Sequence, residues 1–157
     1  VIGASKHGDL QPGDTIEVHY VYTSAKIDPG PTLGSCLSDA IGNPQLRVEA
    51  QVMVLVYHAE AANIGVLAKI EQQNGYFQAV GIPDDTGEPI IYAGSTTGPG
   101  YNEKGSPFHV TWSVRPQAIK VDLVSLGDWL ADNPFDEDHA HGVRNLVVAP
   151  QLLSEID

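Results

Sequence analysis

Histidine is the residue type in this chain best suited to chemistry, and its six copies are unequally placed: His7, His19, His58, His109, His139 and His141. In "DTIEVHYVY", His19 alternates with Glu17 and Val21, so a strand turns all three side chains to one face. An imidazole and a carboxylate on one face suit a metal ligand and the acid that orients it. The same pattern also suits a purely structural histidine. His139-Ala140-His141 is the one His-x-His of the chain, and Asp136, Glu137 and Asp138 precede it. On a strand its two rings would point the same way, as a metal needs. The competing reading is a solvated acidic loop with two structural histidines.

Other chemistries have little support. There is no Gly-x-Ser-x-Gly elbow, phosphate loop or dinucleotide fingerprint. Ser35 and Ser95 fall in loops with no marked base beside them. Cysteine-rich zinc spacings are absent, because Cys36 is the single cysteine. An odd cysteine in an exported protein suggests a bridge to a cysteine outside Val1–Asp157; the alternative is a buried, inert thiol. Acidic residues outnumber basic ones 20 to 8, for a net charge of -12. That balance argues against nucleic acid and anionic membrane as partners and favours solubility. No apolar run is long enough to span a bilayer.

The positioning elements read mostly as strands. Thr15 to Thr23 alternates cleanly. Asp28 to Pro44 is an excursion loop rich in Gly, Pro, Ser and Asp. Leu46 to Ala59 reads as a long central strand, with Val48, Ala50, Val52, Val54 and Val56 on one face and Met53 and Leu55 on the other. Ala61 to Gly75 reads as a short helix ended by Asn74-Gly75. "EPIIYAG" and "FHVTWSVRP" are further strands. Lys120 to Leu123 is extended, and Ser125 to Asp132 is a helix with Ser125 as N-cap. A short strand is expected near Val143 to Val148. The expected fold is one α+β domain over 1–157, β-dominated, with a mostly antiparallel central sheet and a few short helices.

One loop needs explaining. "IYAGSTTGPGYNEKGSPFHVTWSV" joins two strands through a long Gly/Thr-rich segment, where two turn residues would close a hairpin. Together with "DTIEVHYVY" it resembles the carbonic anhydrases. Glu17-Val18-His19 is similar to the α-class Glu-Leu-His strand that carries the third zinc histidine. Tyr92-Ala93-Gly94-Ser95-Thr96-Thr97-Gly98-Pro99 and Val110-Thr111-Trp112 are similar to the loop and strand that follow in that class. The stretch from about Gly8 to Ile156 resembles the δ class more closely, through "LGSCLSDA", "NPQLRVEAQV", "GSTTGPGYNE", "VTWSVRP" and "EDHAHGVRNLV".

The resemblance implies an α-carbonic-anhydrase-like fold, a Zn2+ cofactor and reversible hydration of carbon dioxide to bicarbonate. His19 would ligate zinc and Glu17 would accept a hydrogen bond from a ligand histidine. Thr97 would accept the hydrogen bond from zinc-bound hydroxide. Val21, Val54, Val110 and Trp112 would line the carbon dioxide pocket, and Arg144 resembles a structural arginine. The resemblance also places two further ligands on a His-x-His strand upstream of His19, which the residues before His19 do not contain. The expectations are then a missing N-terminal segment, a second chain that supplies the strand, or a non-catalytic binding or structural member. A fourth uses His139 and His141 as replacement ligands. A periplasmic or secreted location and a homo-oligomer are the accompanying expectations.

Overall fold

The computed structural model describes residues 1–6, 8–31, 33–97 and 105–141. Arg144 and the strand expected near Val143 to Val148 lie outside these residues. The architecture is α+β and dominated by sheet. Its strands are β1 (Thr15–Thr23), β2 (Leu46–Val56), β3 (Glu71–Gln73), β4 (Tyr76–Gln78), β5 (Ile90–Thr97), β6 (Gly105–Val114) and β7 (Ile119–Asp122). Two short helices, α1 (Ile64–Leu67) and α2 (Leu123–Ala131), and a 3-10 turn at Leu33–Cys36 complete the described elements. Neither helix is long and apolar enough to cross a membrane.

The central sheet runs β1-β2-β6-β5. It is mixed: β1–β2 and β5–β6 are antiparallel, whereas β2 pairs in parallel with β6 and then with β7. Strand β6 follows β2 along Leu46–Ala50 and leaves it; after a short bend the chain returns as β7 along Met53–Val56. The Arg115 amide marks the departure by donating to the Ala50 carbonyl at 3.1 Å. Strand β2 is therefore flanked on both edges over most of its length, which suits its freedom from Gly and Pro and its apolar residues at both parities.

The buried face of β2 changes along the strand. Leu46, Val48 and Ala50 are buried on one side; Gln51, Met53 and Leu55 are buried on the other. Val52, Val54 and Val56 are only half-buried. On the first side Leu46 and Val48 pack with Cys36, Phe108 and Val110 under the 3-10 turn. On the second, Met53 and Leu55 pack with Val121, Ile64, Leu123 and Leu126, so α1 and α2 cover that face. Gln51 at the crossover is fully buried and satisfied: its amide donates to the Pro83 carbonyl at 2.9 Å and accepts from the Thr86 hydroxyl at 2.8 Å. Met53→Ala should cost about 2–5 kcal/mol, since the cavity would open in the middle of the helix-covered core. Urea unfolding would measure it, and a loss under about 1 kcal/mol would mean the site collapses freely.

Two local expectations are corrected. Asn74-Gly75 does not end a helix; with φ of 53° and 81° it forms the tight turn between β3 and β4. Two consecutive positive φ values are what a two-residue hairpin needs. The helical part of that segment is the single turn α1, capped by Asn63, whose side chain accepts from the Gly65 amide at 2.8 Å. Ser125 is not the N-cap of α2. Asp122 is, and its carboxylate accepts from the Val124 amide at 3.3 Å. The earlier start puts Leu123, Leu126 and Leu130 on one stripe against the core. Ser125 instead donates to the Asp122 carbonyl at 2.7 Å and accepts from the Ile64 amide at 3.1 Å, joining the two helices. Cys36, the single cysteine, is buried and free within this chain. It packs as an apolar side chain, and burial pushes its pKa up, which disfavours the reactive thiolate.

Candidate functional site

Alternation in β1 turns Ile16, Val18, Tyr20 and Tyr22 toward the helix-covered side and Glu17, His19 and Val21 toward the other. Tyr20 is tied down by its phenol, which donates to the Leu67 carbonyl at 2.8 Å; burial raises its pKa far enough to keep that donor proton. Register then fixes the neighbours of the second set. Glu17, His19 and Val21 stand opposite Val52, Ala50 and Val48 of β2. Val48 in turn stands beside Trp112 of β6, and Trp112 opposite Tyr92 of β5. Val110 pairs with Leu46 and with Gly94. Glu17, His19, Val21, Val110 and Trp112 are thus brought to one sheet face. Val54 belongs to the same face but stands one rung beyond Glu17, opposite Thr15.

His19 is held on two sides. Its Nε2 lies 3.0 Å from the Glu17 Oε1, and the two side chains are 41% and 51% exposed, so both meet solvent. Its ring meets the indole of Trp112 edge-on, with centroids 5.2 Å apart and planes at 77°. Tyr92 stacks beside the same indole at 6.3 Å and 10°. Trp112 Nε1 donates to the Ser95 carbonyl at 3.3 Å. That bond falls where the β5–β6 register shifts, between Ser95 and Thr97. The backbone of Thr97 ends β5 opposite Gly105; its side chain, with Gly98 and Pro99 of the loop, lies outside the described set.

The tail histidines do not join this face. Asn133 at the end of α2 donates to the carbonyls of Trp129 and Glu137, which keeps the start of the tail against the helix. There His141 Nε2 lies 2.8 Å from a Glu137 oxygen, and His139 Nδ1 contacts Asp138. The hydrogen bond from His139 holds the exposed Asp138 carboxyl below the usual carboxylate range. The two rings lie 4.5 Å apart. Helix α2 covers the opposite side of the sheet from His19. Among the other histidines, His58 accepts from the Glu60 amide at 3.2 Å in the loop after β2, and His109 is exposed on the face opposite Val110. His7 lies outside the described residues.

A model of the delta carbonic anhydrase family matches residues 1–125. The chain belongs to that family. No curated protein and no solved structure matches the chain. The match spans every strand of the sheet and the start of α2, and so covers the strands that carry Glu17, His19 and Trp112. Membership points to carbonic anhydrase-like function, with carbon dioxide and bicarbonate as the family's substrates.

Carbonic anhydrases generally use zinc, and the donor chemistry at His19 fits one ligand position. Glu17 takes Nε2, so Nδ1 is the nitrogen whose lone pair remains for a metal. A carboxylate on the far nitrogen is the usual companion of a ligating imidazole. The fit is partial, because no group of three or more His, Cys, Asp or Glu residues among the described residues could hold a metal. In particular, His139 and His141 do not complete a set with His19.

The alternation of β1 made Glu17 and His19 visible in the sequence. Tyr92, Ser95 and Ala50 carried no role there, although all three bear on the site. Gly94 had a usable signal, since glycine inside a strand pattern often marks a close approach.

Proposed function

We propose that this protein is a zinc-dependent carbonic anhydrase that interconverts carbon dioxide and bicarbonate. The observation that carries the reading is the Glu17–His19 pair on an open sheet face beside Trp112, in a chain matched by the delta carbonic anhydrase model. His19 would hold the metal through Nδ1. Glu17 would keep the proton on Nε2, fix the ring's direction and raise the basicity of Nδ1. Zinc, when bound, supplies a water with its pKa lowered to about 7; carbonic anhydrase is itself the standard example of that effect.

The remaining roles belong to the chain. Trp112, Val21 and Val54 present an apolar wall, which suits a small nonpolar substrate and sheds ordered water, while Val110, 2% exposed, lies beneath it in the core. The Thr97 hydroxyl would accept the hydrogen of the nucleophile and aim its lone pair at the substrate carbon. The other ligands would come from outside the described residues or from a second chain.

The test is metal analysis and stopped-flow hydration on the natural protein, purified without chelator. One zinc per chain, with turnover abolished by chelation and restored by zinc, is the expected result. A protein without zinc, and no faster than buffer, would instead be a non-catalytic member that uses the scaffold for binding.

A further inference from the structure

His19 and Thr97 belong to β1 and β5, the two outer strands of the sheet order, with β2 and β6 between them. Groups that act on one small substrate must be held at a set spacing, and an error of about 1 Å can cost about a hundredfold. We propose that Trp112 is a positioning residue that sets this spacing by acting as a strut between His19 and the Ser95–Thr97 end of β5. The inference rests on the carbonic anhydrase reading of this face and adds to the indole's place in the apolar wall.

The indole reaches in both directions. Toward β1 it meets the His19 ring edge-on at 5.2 Å. Strand β2 lies between, and its residues at this level are Val48 and the fully buried Ala50, low enough for the ring to pass over. Toward β5 its N–H donates to the Ser95 carbonyl, two residues before Thr97. The register shift sits at that point, so a side chain holds the backbone where the strand ladder slips. Tyr92 stacks along the ring and limits its sideways motion.

Gly94 completes the seat. A Cβ there would stand 3.0 Å from Trp112 Cδ1 and 3.2 Å from Nε1, and 3.6 Å from Tyr92 Cε2. A bare backbone at residue 94 is what lets the indole lie low enough to reach the Ser95 carbonyl. A wall residue needs only an apolar surface. This one is held by a hydrogen bond, two rings and a missing side chain.

Two variants of the zinc-loaded protein test the strut. Trp112→Phe keeps an aromatic wall and deletes the N–H; Gly94→Ala keeps Trp112 and pushes its ring off the seat. In both, kcat for hydration should fall about tenfold while KM and zinc content hold. Amide hydrogen exchange at Ser95 to Thr97, read without substrate, should speed up in both. The reverse split, a raised KM with unchanged kcat and unchanged exchange, would reduce Trp112 to a wall and overturn the strut. The exchange measurement needs no turnover. Unchanged exchange in both variants therefore overturns the strut even if the protein hydrates carbon dioxide. Faster exchange in an inactive protein upholds the strut and rejects the functional reading instead. Thermal melts identify a variant that fails to fold, and the other variant then decides.

Discussion

His19→Ala should remove stoichiometric zinc and hydration together, leaving a folded protein with background turnover. A catalytic zinc is held by three protein ligands, and the loss of one leaves no closed donor set. The substitution also orphans Glu17, whose carboxylate faces the imidazole at 3.0 Å. The fold should survive, because His19 is 41% exposed and surface changes of this kind usually cost about 0.5 kcal/mol or less. Metal analysis, stopped-flow hydration and circular dichroism on one preparation would check all three statements. Retained zinc with retained turnover would remove His19 from the metal centre.

Thr97→Ala should separate chemistry from metal binding. Loss of one positioned hydrogen-bonding group commonly costs on the order of a hundredfold in turnover, and zinc should stay bound. Thr97→Ser keeps the hydroxyl and should recover most of the rate. The backbone at Thr97 closes β5 immediately after a register shift, a place where a strand re-aims side chains. Zinc loss with unchanged activity per zinc would assign Thr97 to holding the metal rather than to orienting the nucleophile.

What could be read from the sequence was what depends on neighbours along the chain. Period-two alternation placed Glu17, His19 and Val21 on one face of β1, and the structure keeps them there. Apolar residues at both parities marked β2 as central. Which face each half of β2 buries was not legible, because it is decided by helices and strands that arrive much later in the chain. The parallel pairings of β2 with β6 and β7 are long-range in the same way. So is the contact of Trp112 with His19, which depends on strand order and not on spacing. The local misreadings had a different cause. Asn74-Gly75 serves a helix end and a hairpin turn alike, and Asp122 caps a helix as well as Ser125 would.

The change of buried face at Gln51 has a consequence for how the protein can drift. The Met53–Leu55 cluster and the Val48–Val110 cluster lie on opposite sides of the sheet and share no member. Substitutions in separate clusters of this kind tend to add without coupling. Stability lost to a change on either side can then be restored by compensating changes beneath the helices. Those changes need not reshape the floor under His19. The sheet acts as a partition, with one compartment free to be renovated while the other keeps its geometry.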